Sequence, residues 1–201
     1  MIDFYNIPAI AGGGSYGTDD LQPLIGGCSG GGFNNAEAGD NFPEGSAGGG
    51  AIQISSRGSI TVHGTVDASG SNGAFVEDGQ QTLCGGMSPL GGGSGGAILL
   101  EAPVVSLAAT AILDAHGGDG AGCSPATQTC GLPGHGTHGV TAGTAGGDTS
   151  FVTALGDQLY APGTGAGGVG RVRINTRTGN YSGDSASKLD GIVTTSILKT
   201  R

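Results

Sequence analysis

Short stretches in which apolar and polar residues alternate recur along this chain. In residues 48–70, Ile52, Ile54, Ile60 and Val62 fall on one side of an extended backbone, and the polar residues between them fall on the other. Successive side chains of a β-strand point to opposite faces, so a period of two is the pattern of a strand with one buried face. Glycine and other small residues separate the runs. The pattern therefore predicts an all-β protein built from short strands.

The alternating pattern is itself repeated. Residues 94–117 follow the same order as residues 48–70, a glycine-rich start and then three apolar runs, and a third copy begins at residue 168. A unit of about 22 residues matches one coil of a parallel β-helix. One coil cannot bury its own apolar face, whereas stacked coils bury one another's side chains and satisfy one another's backbone groups. We therefore predict a β-solenoid in a single domain, residues 1–201, with coils near 48–70, 94–117 and 167–192.

Stacking of the copies predicts which side chains lie above one another. Ile52, Ile98 and Val172 occupy the same position in the three copies, so we expect them to form one aliphatic ladder. Val62 and Leu107 occupy equivalent positions in the first two copies and are expected to form another. Both ladders belong to the face of the strands that is predicted to be buried.

Glycine supplies 46 of the 201 residues. A collagen helix is excluded, because glycine is clustered rather than placed at every third position and there are only 8 prolines. Most of the clusters fall in or beside three long inserts, residues 11–47, 71–93 and 118–166. Glycine tracts can be ordered as extended left-handed strands that pack by backbone contact. We expect polyglycine-II-like inserts that lie side by side on one face of the solenoid; mobile loops are the alternative.

Charge is sparse and unevenly distributed. The net charge is −9, and residues 1–163 carry fourteen carboxylates against one base, Arg57, whereas residues 164–201 carry six bases. The acidic bulk argues against a nucleic-acid partner, because binding of nucleic acid depends on neutralising phosphates. The basic stretch is expected either to face the acidic part of this or a neighbouring molecule, or to form a solvated edge strand that resists pairing. No apolar stretch reaches the roughly 20 residues of a transmembrane helix, so no transmembrane segment is predicted.

The four cysteines allow three pairings. Cys123 and Cys130 close a short polar loop, which suits a local disulfide, and Cys28 and Cys84 would then pair by elimination. Disulfides favour an oxidising compartment; four free thiols are the alternative. The N-terminus lacks the basic region and apolar core of a signal peptide. If the protein is exported, we expect a mature form, an excised domain or a signal-independent route.

Residues 91–107, which read Gly-Gly-Gly-Ser-Gly-Gly-Ala-Ile-Leu-Leu-Glu-Ala-Pro-Val-Val-Ser-Leu, resemble repeats of large glycine-rich bacterial surface and extracellular-matrix proteins, including many from myxobacteria. The resemblance extends over about residues 48–117 and 163–175. It implies a secreted or cell-surface location and a repetitive architecture, and it implies no particular ligand.

Two histidines lie in a motif of known chemistry. Residues 135–144 resemble the histidine motif of the subtilisin-like serine proteases, in which His135 would be the general base. The serine motif of that family, Gly-Thr-Ser-Met-Ala, does not occur in the chain. We therefore interpret the match as an accident of a Gly/Thr-rich loop and predict no catalytic residue. His135 and His138 also lie near Cys123 and Cys130, but the spacings depart from common zinc motifs, so metal binding there is an alternative to the disulfide.

Aspartates beside glycine turns raise the question of calcium. Asp67, Asp114, Asp119 and Asp148 are of this kind, but the calcium-binding nonapeptide of β-rolls is not met. Capping of turns is the preferred interpretation, no cofactor is predicted, and calcium remains the alternative. Asp67 and Asp114 occupy equivalent positions and are expected to stack, either as a carboxylate pair with a raised pKa or as a repeated turn residue. His63 and His116 are expected to be solvated.

The preferred function is that of a structural or adhesive module, not an enzyme. Its partners would be copies of itself or other surface and matrix components, and assembly into filaments is one form that such a role would take. The alternative is a carbohydrate-active or carbohydrate-binding β-helix. With no Trp, 4 Tyr and 5 Phe, the chain has little material for the aromatic platforms on which sugars stack.

Overall fold

All regular structure in the part of the chain that the structure describes is β-strand. The computed structural model describes residues 13–14, 17–31, 45–73, 75–77, 87–121, 148–152, 158–162 and 164–199. The strands in these ranges are β1 (Ala51–Ser55), β2 (Ser59–Val62), β3 (Thr65–Asp67), β4 (Phe75–Glu77), β5 (Met87–Pro89), β6 (Ala97–Glu101), β7 (Val104–Leu107), β8 (Ile112–Asp114), β9 (Asp148–Val152), β10 (Gln158–Pro162), β11 (Arg171–Thr176), β12 (Ser182–Gly183), β13 (Lys188–Asp190) and β14 (Ile192–Ile197). The predicted all-β class is confirmed. Nothing in these ranges forms a helix of the length and apolarity that a membrane crossing needs.

Three sheets contain only parallel strand pairs. Sheet A has the order β1-β6-β11-β14, sheet B the order β2-β7-β12 and sheet C the order β3-β8-β13. Three successive strands, one in each of sheets A, B and C, make up one round of the chain. The strand that begins the next round returns to sheet A beside the strand that began the last. Two antiparallel hairpins, β4–β5 and β9–β10, lie in the connections between rounds.

The register of the parallel pairs confirms both predicted ladders. Ile52 pairs with Ile98 and Ile98 pairs with Val172 in sheet A, while Val62 pairs with Leu107 in sheet B. The inward-facing members are aliphatic in all three rounds of sheet A and in the first two rounds of sheet B, so the apolar side chains of one strand pack on those of the next. A slip of one residue would turn the apolar set outward, and this fixes the register.

The third round fits the same register despite its two arginines. Arg171 pairs with Ala97, and Arg173 pairs with Leu99. Both arginines alternate with Val172, which is fully buried, so they lie on the outer face of sheet A. Only inward positions must be apolar for a strand to join the stack, and the outer positions are therefore free to carry charge.

A single glycine connects the third round to the strand that follows it. Gly191 joins β13 to β14 with a φ of +152°, and a Cβ at this position would lie 3.3 Å from Cγ2 of Val172. In the two earlier rounds the chain leaves the sheets at the equivalent point and returns after a long connection. The turn at Gly191 indicates that the sheets can be joined at this corner without an insert.

One apolar core is shared by the three sheets. Its fully buried residues come from all of them, for example Ile98 in sheet A, Val105 in sheet B and Leu113 in sheet C. A second, smaller cluster lies on the outer face of sheet A, where Leu21 packs against Ala97 and Leu99.

Candidate functional site: a glycine-rich backbone array and a polar ladder

The glycine-rich segments between rounds hydrogen-bond to one another through their backbones. We call them the glycine array: residues 26–31, 45–50, 68–73, 90–96, 115–121 and 164–170. Segments 68–73 and 115–121 follow sheet C directly in two successive rounds. They run parallel, with Gly70 donating to the carbonyl of His116 at 2.9 Å and Gly73 donating to that of Asp119 at 2.6 Å.

Segment 90–96 lies in the interior of the glycine array and is buried along its length. Its N–H groups turn to three neighbours in rotation: Gly91 and Ser94 donate to segment 26–31, Gly92 and Gly95 to segment 164–170, and Gly93 and Gly96 to segment 68–73. Its carbonyls accept from segments 45–50 and 115–121. The partner recurs every three residues, which is the period of a polyproline-II helix and differs from the period of two in a sheet.

The segments approach too closely for side chains at many positions. A Cβ on Gly49 would lie 1.9 Å from the carbonyl oxygen of Ala68, and one on Gly95 would lie 1.9 Å from that of Ala115. Both obstacles are backbone atoms that cannot rotate away. Glycine is required at these positions because the backbone of a neighbouring segment leaves no room for a Cβ.

Two buried hydroxyls replace glycine within the array and bind its backbone. The Oγ1 atom of Thr164 accepts the N–H of Ala121 at 2.8 Å and lies 2.8 Å from the carbonyl oxygen of Leu90. The Oγ atom of Ser94 accepts the N–H of Cys28 at 2.7 Å and donates to the Cys28 carbonyl at 3.0 Å. Small hydroxyl side chains are tolerated here because they hydrogen-bond to the backbone of neighbouring segments.

Residues 17–25 cover part of the outer face of sheet A. The side chain of Asp19 forms an ion pair with Arg171, and its carbonyl oxygen accepts hydrogen bonds from Nη1 of Arg173 at 2.6 Å and from Oγ1 of Thr194 at 2.9 Å. For Arg171, this contact corresponds to one of the two arrangements considered for the basic C-terminal stretch, in which it faces an acidic part of the same molecule.

A glutamate links three rounds on the outer face of sheet A. Glu101 accepts hydrogen bonds from Gln53 at 2.8 Å and Ser55 at 3.1 Å in the first round, and from Asn175 at 3.1 Å in the third. The residues come together because Ser55, Glu101 and Asn175 are register partners. The network ties adjacent strands by side chains as well as by backbone.

Sheet C ends in a ladder of three aspartates. Asp67 pairs with Asp114, as predicted, and Asp190 pairs with Asp114 from the other side. Asp67 accepts hydrogen bonds from the hydroxyl of Ser69 at 2.6 Å and from its N–H at 2.8 Å, and these bonds hold the pKa of the Asp67 carboxyl below its usual value. The raised pKa that we considered for this stack is therefore wrong for Asp67, because hydrogen bonds to the charged form outweigh burial.

His116 was expected to be solvated, but in the structure its side chain contacts the ladder of aspartates. Its ring Nδ1 lies 2.6 Å from Oδ1 of Asp114, and its backbone N–H donates to the same oxygen at 3.1 Å. Asp114, His116 and Asp190 each offer one ligand atom within 4.8 Å of the others. His63, by contrast, is exposed as expected.

Most of the other sequence-predicted site residues lie outside the described residues. Cys28 is exposed and forms no disulfide with a described residue. Its predicted partner Cys84, the Cys123–Cys130 pair, and the candidate metal ligands His135 and His138 fall in ranges that the structure does not describe. The two disulfides therefore stay predictions.

The four aspartates considered for calcium do not form one group in the described part of the chain. Asp114 joins the cluster with His116, but neither Asp67 nor Asp119 belongs to it. The N–H of Asp119 is bound by Oδ1 of Asn72 at 2.8 Å. Asp148 begins β9, and its side chain is outside the description.

Comparison with protein-family models, with curated proteins and with solved structures found no match to this chain.

Proposed function

We propose that this chain is a β-solenoid whose inserts form a polyglycine-II bundle. The three rounds of strands through sheets A, B and C serve as its coils, and the glycine array is the bundle. The rotation of hydrogen-bond partners every three residues along segment 90–96 supports the polyglycine-II conformation. The parallel register of the sheets supports the solenoid.

We propose that the module has a structural or adhesive role, without catalysis, in an extracellular or cell-surface protein. The observation that carries this proposal is the glycine array, in which backbone bonds to five neighbours hold one buried segment. Fixing so much glycine costs more chain entropy than fixing any other residue, so a chain that does this must offset the cost by dense backbone packing. The product is a rigid support made mainly of backbone.

The array is connected directly to hairpins that it would hold in place. Segment 68–73 runs into β4 after one residue, and β5 runs straight into segment 90–96. The hairpin β9–β10 leads into segment 164–170 in the same way. Loops on a rigid support are the usual sites of recognition, which fits an adhesive role. The likeness of residues 91–107 to bacterial surface repeats supports the proposed location.

The aspartate ladder favours the second candidate, a carbohydrate-active or carbohydrate-binding β-helix. Glycoside hydrolases act through paired carboxylates, and Asp67, Asp114 and Asp190 lie side by side on sheet C. Neighbouring strands in a sheet lie about 4.8 Å apart, which is close to the carboxyl separation of about 5–5.5 Å in retaining enzymes.

Measurements of assembly, of cell binding and of sugar release on the full chain distinguish the candidates. Negative-stain electron microscopy and sedimentation velocity would reveal filaments or oligomers, and binding of the fluorescently labelled chain to intact bacterial cells would reveal adhesion. A structural or adhesive module is expected to give at least one of these signals and no release of sugars from a glycan panel. A monodisperse monomer that binds no cells and releases sugars would overturn the proposal in favour of the enzyme.

A further inference from the structure

We propose that Asp114, His116 and Asp190 bind a divalent transition-metal ion of the zinc type. Asp114 and Asp190 end neighbouring strands of sheet C, His116 follows Asp114 by two residues, and one ligand atom of each lies within 4.8 Å of the others. These three ligands differ from the metal candidates that the sequence suggested, His135, His138 and the cysteines.

The fold builds this cluster through register and local geometry. Asp114 and Asp190 are direct register partners, so their carboxylates lie on the same face one strand apart. His116 follows Asp114 by two residues, and in an extended chain residues two apart project to the same side. The hydrogen bond between Asp114 and His116 holds the imidazole beside the two carboxylates.

Asp67, the aspartate of the first round, has different neighbours, so the proposed site includes only residues of the second and third rounds. Asp67 is followed two residues later by Ser69, whose hydroxyl and N–H bind its carboxylate. Asp190 is followed two residues later by Ile192, whose side chain has no polar atom and whose N–H donates to the carbonyl of Gly170 at 2.9 Å. Ile192 therefore does not cap Asp190 in the way that Ser69 caps Asp67, and one carboxylate oxygen of Asp190 lies within 4.8 Å of the ligand atoms of Asp114 and His116.

The donor set selects the class of ion. One imidazole nitrogen and two carboxylate oxygens are ligands that Zn²⁺ takes readily, whereas Ca²⁺ prefers six to eight oxygens and Mg²⁺ a shell of oxygens and water. Like charges directly opposite each other destabilise a sheet, and a divalent ion offsets that repulsion. The side chains of His116 and Asp114 are 27% and 23% exposed, so an ion can enter from solvent and keep a water ligand.

Binding requires only a small rearrangement of side chains. Ligand atoms around a tetrahedral Zn²⁺ lie about 3.4 Å apart, given metal–ligand distances of about 2.0–2.2 Å. The Nδ1 atom of His116 and Oδ1 of Asp114 must therefore move apart from 2.6 Å and exchange their hydrogen bond for bonds to the metal, and the ligand atom of Asp190 must reach a similar distance from within 4.8 Å. Rotation of partly exposed side chains can supply both movements without moving the strands.

The test is calorimetric titration of the full chain with Zn²⁺. The thiols are first blocked with iodoacetamide, so that Cys28 and the other cysteines do not contribute. We expect His116→Ala and Asp190→Asn to weaken one binding site at least about tenfold, since removal of even an outer-shell partner costs a metal site 10–100-fold. His63→Ala, which removes an exposed histidine elsewhere, is the matched control and should bind like the unchanged chain.

Further readouts make the outcome decisive. Co²⁺ bound at this site should give a visible spectrum typical of nitrogen and oxygen ligands, and Zn²⁺ should raise the melting temperature of the unchanged chain more than that of His116→Ala. Asp190→Asn keeps the size of the side chain, so it serves if His116→Ala fails to fold. Equal affinity in the unchanged chain and both site variants, no binding at all, or Ca²⁺ binding as tight as Zn²⁺ binding would each overturn the proposal.

Discussion

Two adjacent glycines in segment 45–50 differ in the space around them: Gly49 has no room for a Cβ, whereas Gly50 has room for one. A Cβ on Gly49 would lie 1.9 Å from the carbonyl oxygen of Ala68 and 2.5 Å from the N atom of Gly96, whereas a Cβ on Gly50 would meet nothing within 4 Å. We predict that Gly49→Ala lowers the free energy of unfolding by about 3 kcal/mol or more, because overpacking against backbone cannot be relieved by a side-chain rotation.

Gly50→Ala is the matched control, one residue along the same segment. It should change the free energy of unfolding by less than about 1 kcal/mol, and its loss of freedom in the unfolded chain acts in the stabilising direction. Chemical denaturation followed by circular dichroism measures both variants. Equal effects of the two substitutions would mean that the glycine array is not packed in solution as it is in the structure.

Asp67 makes the stability of the chain depend on pH. Because its pKa is lower in the folded chain than in the unfolded chain, the stabilisation is fully present above the unfolded value of about 3.9 and is lost as the pH falls through the folded pKa. Ser69→Ala removes the hydroxyl that contributes most to this shift. We predict a loss of about 0.5 kcal/mol at pH 7, small because Asp67 is exposed, and a loss near zero in strong acid.

The measurement for Asp67 is a series of urea denaturation curves from neutral to acidic pH. Ser71→Ala, a substitution at an exposed serine two residues further along, should show no such pH-dependent difference from the unchanged chain. A difference between Ser69→Ala and the unchanged chain that grows as the pH falls would contradict the prediction.

At the scale of the strand, the position of a strand in its sheet determines how much an isoleucine contributes to the free energy of unfolding. Ile98 in the second strand of sheet A is fully buried, while Ile54 in the edge strand β1 is 39% exposed. We predict that Ile98→Ala costs about 2–5 kcal/mol of unfolding free energy, and that Ile54→Ala costs about 1 kcal/mol or less. Thermal and urea denaturation of the two variants test the difference; equal costs would show that β1 is not at the edge of sheet A in solution.

The same alternation explains which strands the sequence predicts and which it does not. In β1 and β2, apolar residues at every second position predict both the strand and its register, because burial demands them. Strand β6 is a continuous apolar run, so its register follows from the match of its repeat to residues 48–70. Strand β12 is Ser182–Gly183 and has no apolar side chain to mark it. It pairs with β7 through the backbone, and no periodicity can reveal such a strand.

The polar cluster was only partly predictable for the same reason. Asp114 was expected to stack on Asp67 because both follow matching apolar runs. Asp190 was missed because β13 reads Lys-Leu-Asp, in which a single leucine carries no visible period. The proximity of His116 depends on the hydrogen bond to Asp114, and this contact has no signature in the sequence.

For the whole molecule, composition predicted that glycine would order the inserts but not which segments would be neighbours. Every cluster of glycines looks alike in the sequence, whereas in the structure segment 90–96 is central and segments 26–31 and 45–50 are partly exposed. The arrangement depends on where each segment leaves sheet C and returns to sheet A. Topology therefore decides which glycines are indispensable.

Among the described residues, the two outer strands of sheet A, β1 and β14, carry exposed apolar side chains. Sheet A has four strands, whereas sheets B and C have three, so β14 extends beyond its neighbours. Val193 in β14 faces the same way as the core residue Val172 but is 37% exposed. At the opposite end, Ile54 in β1 is also exposed. In the part of the chain that the structure describes, no further strand pairs with the outer side of β1 or β14, and both edges carry apolar side chains, which favours addition of a further strand.

If the module assembles with copies of itself, we expect the β14 edge of one copy to meet the β1 edge of the next. Such a head-to-tail contact does not close on itself and generates filaments. Val193→Lys places a charge on the edge and should reduce assembly in sedimentation velocity and shorten or abolish filaments in electron micrographs. Val104→Lys makes the same change at a position that is 54% exposed on β7, a central strand, and should leave assembly intact. Equal loss in both variants, or in neither, would exclude these edges as the interface.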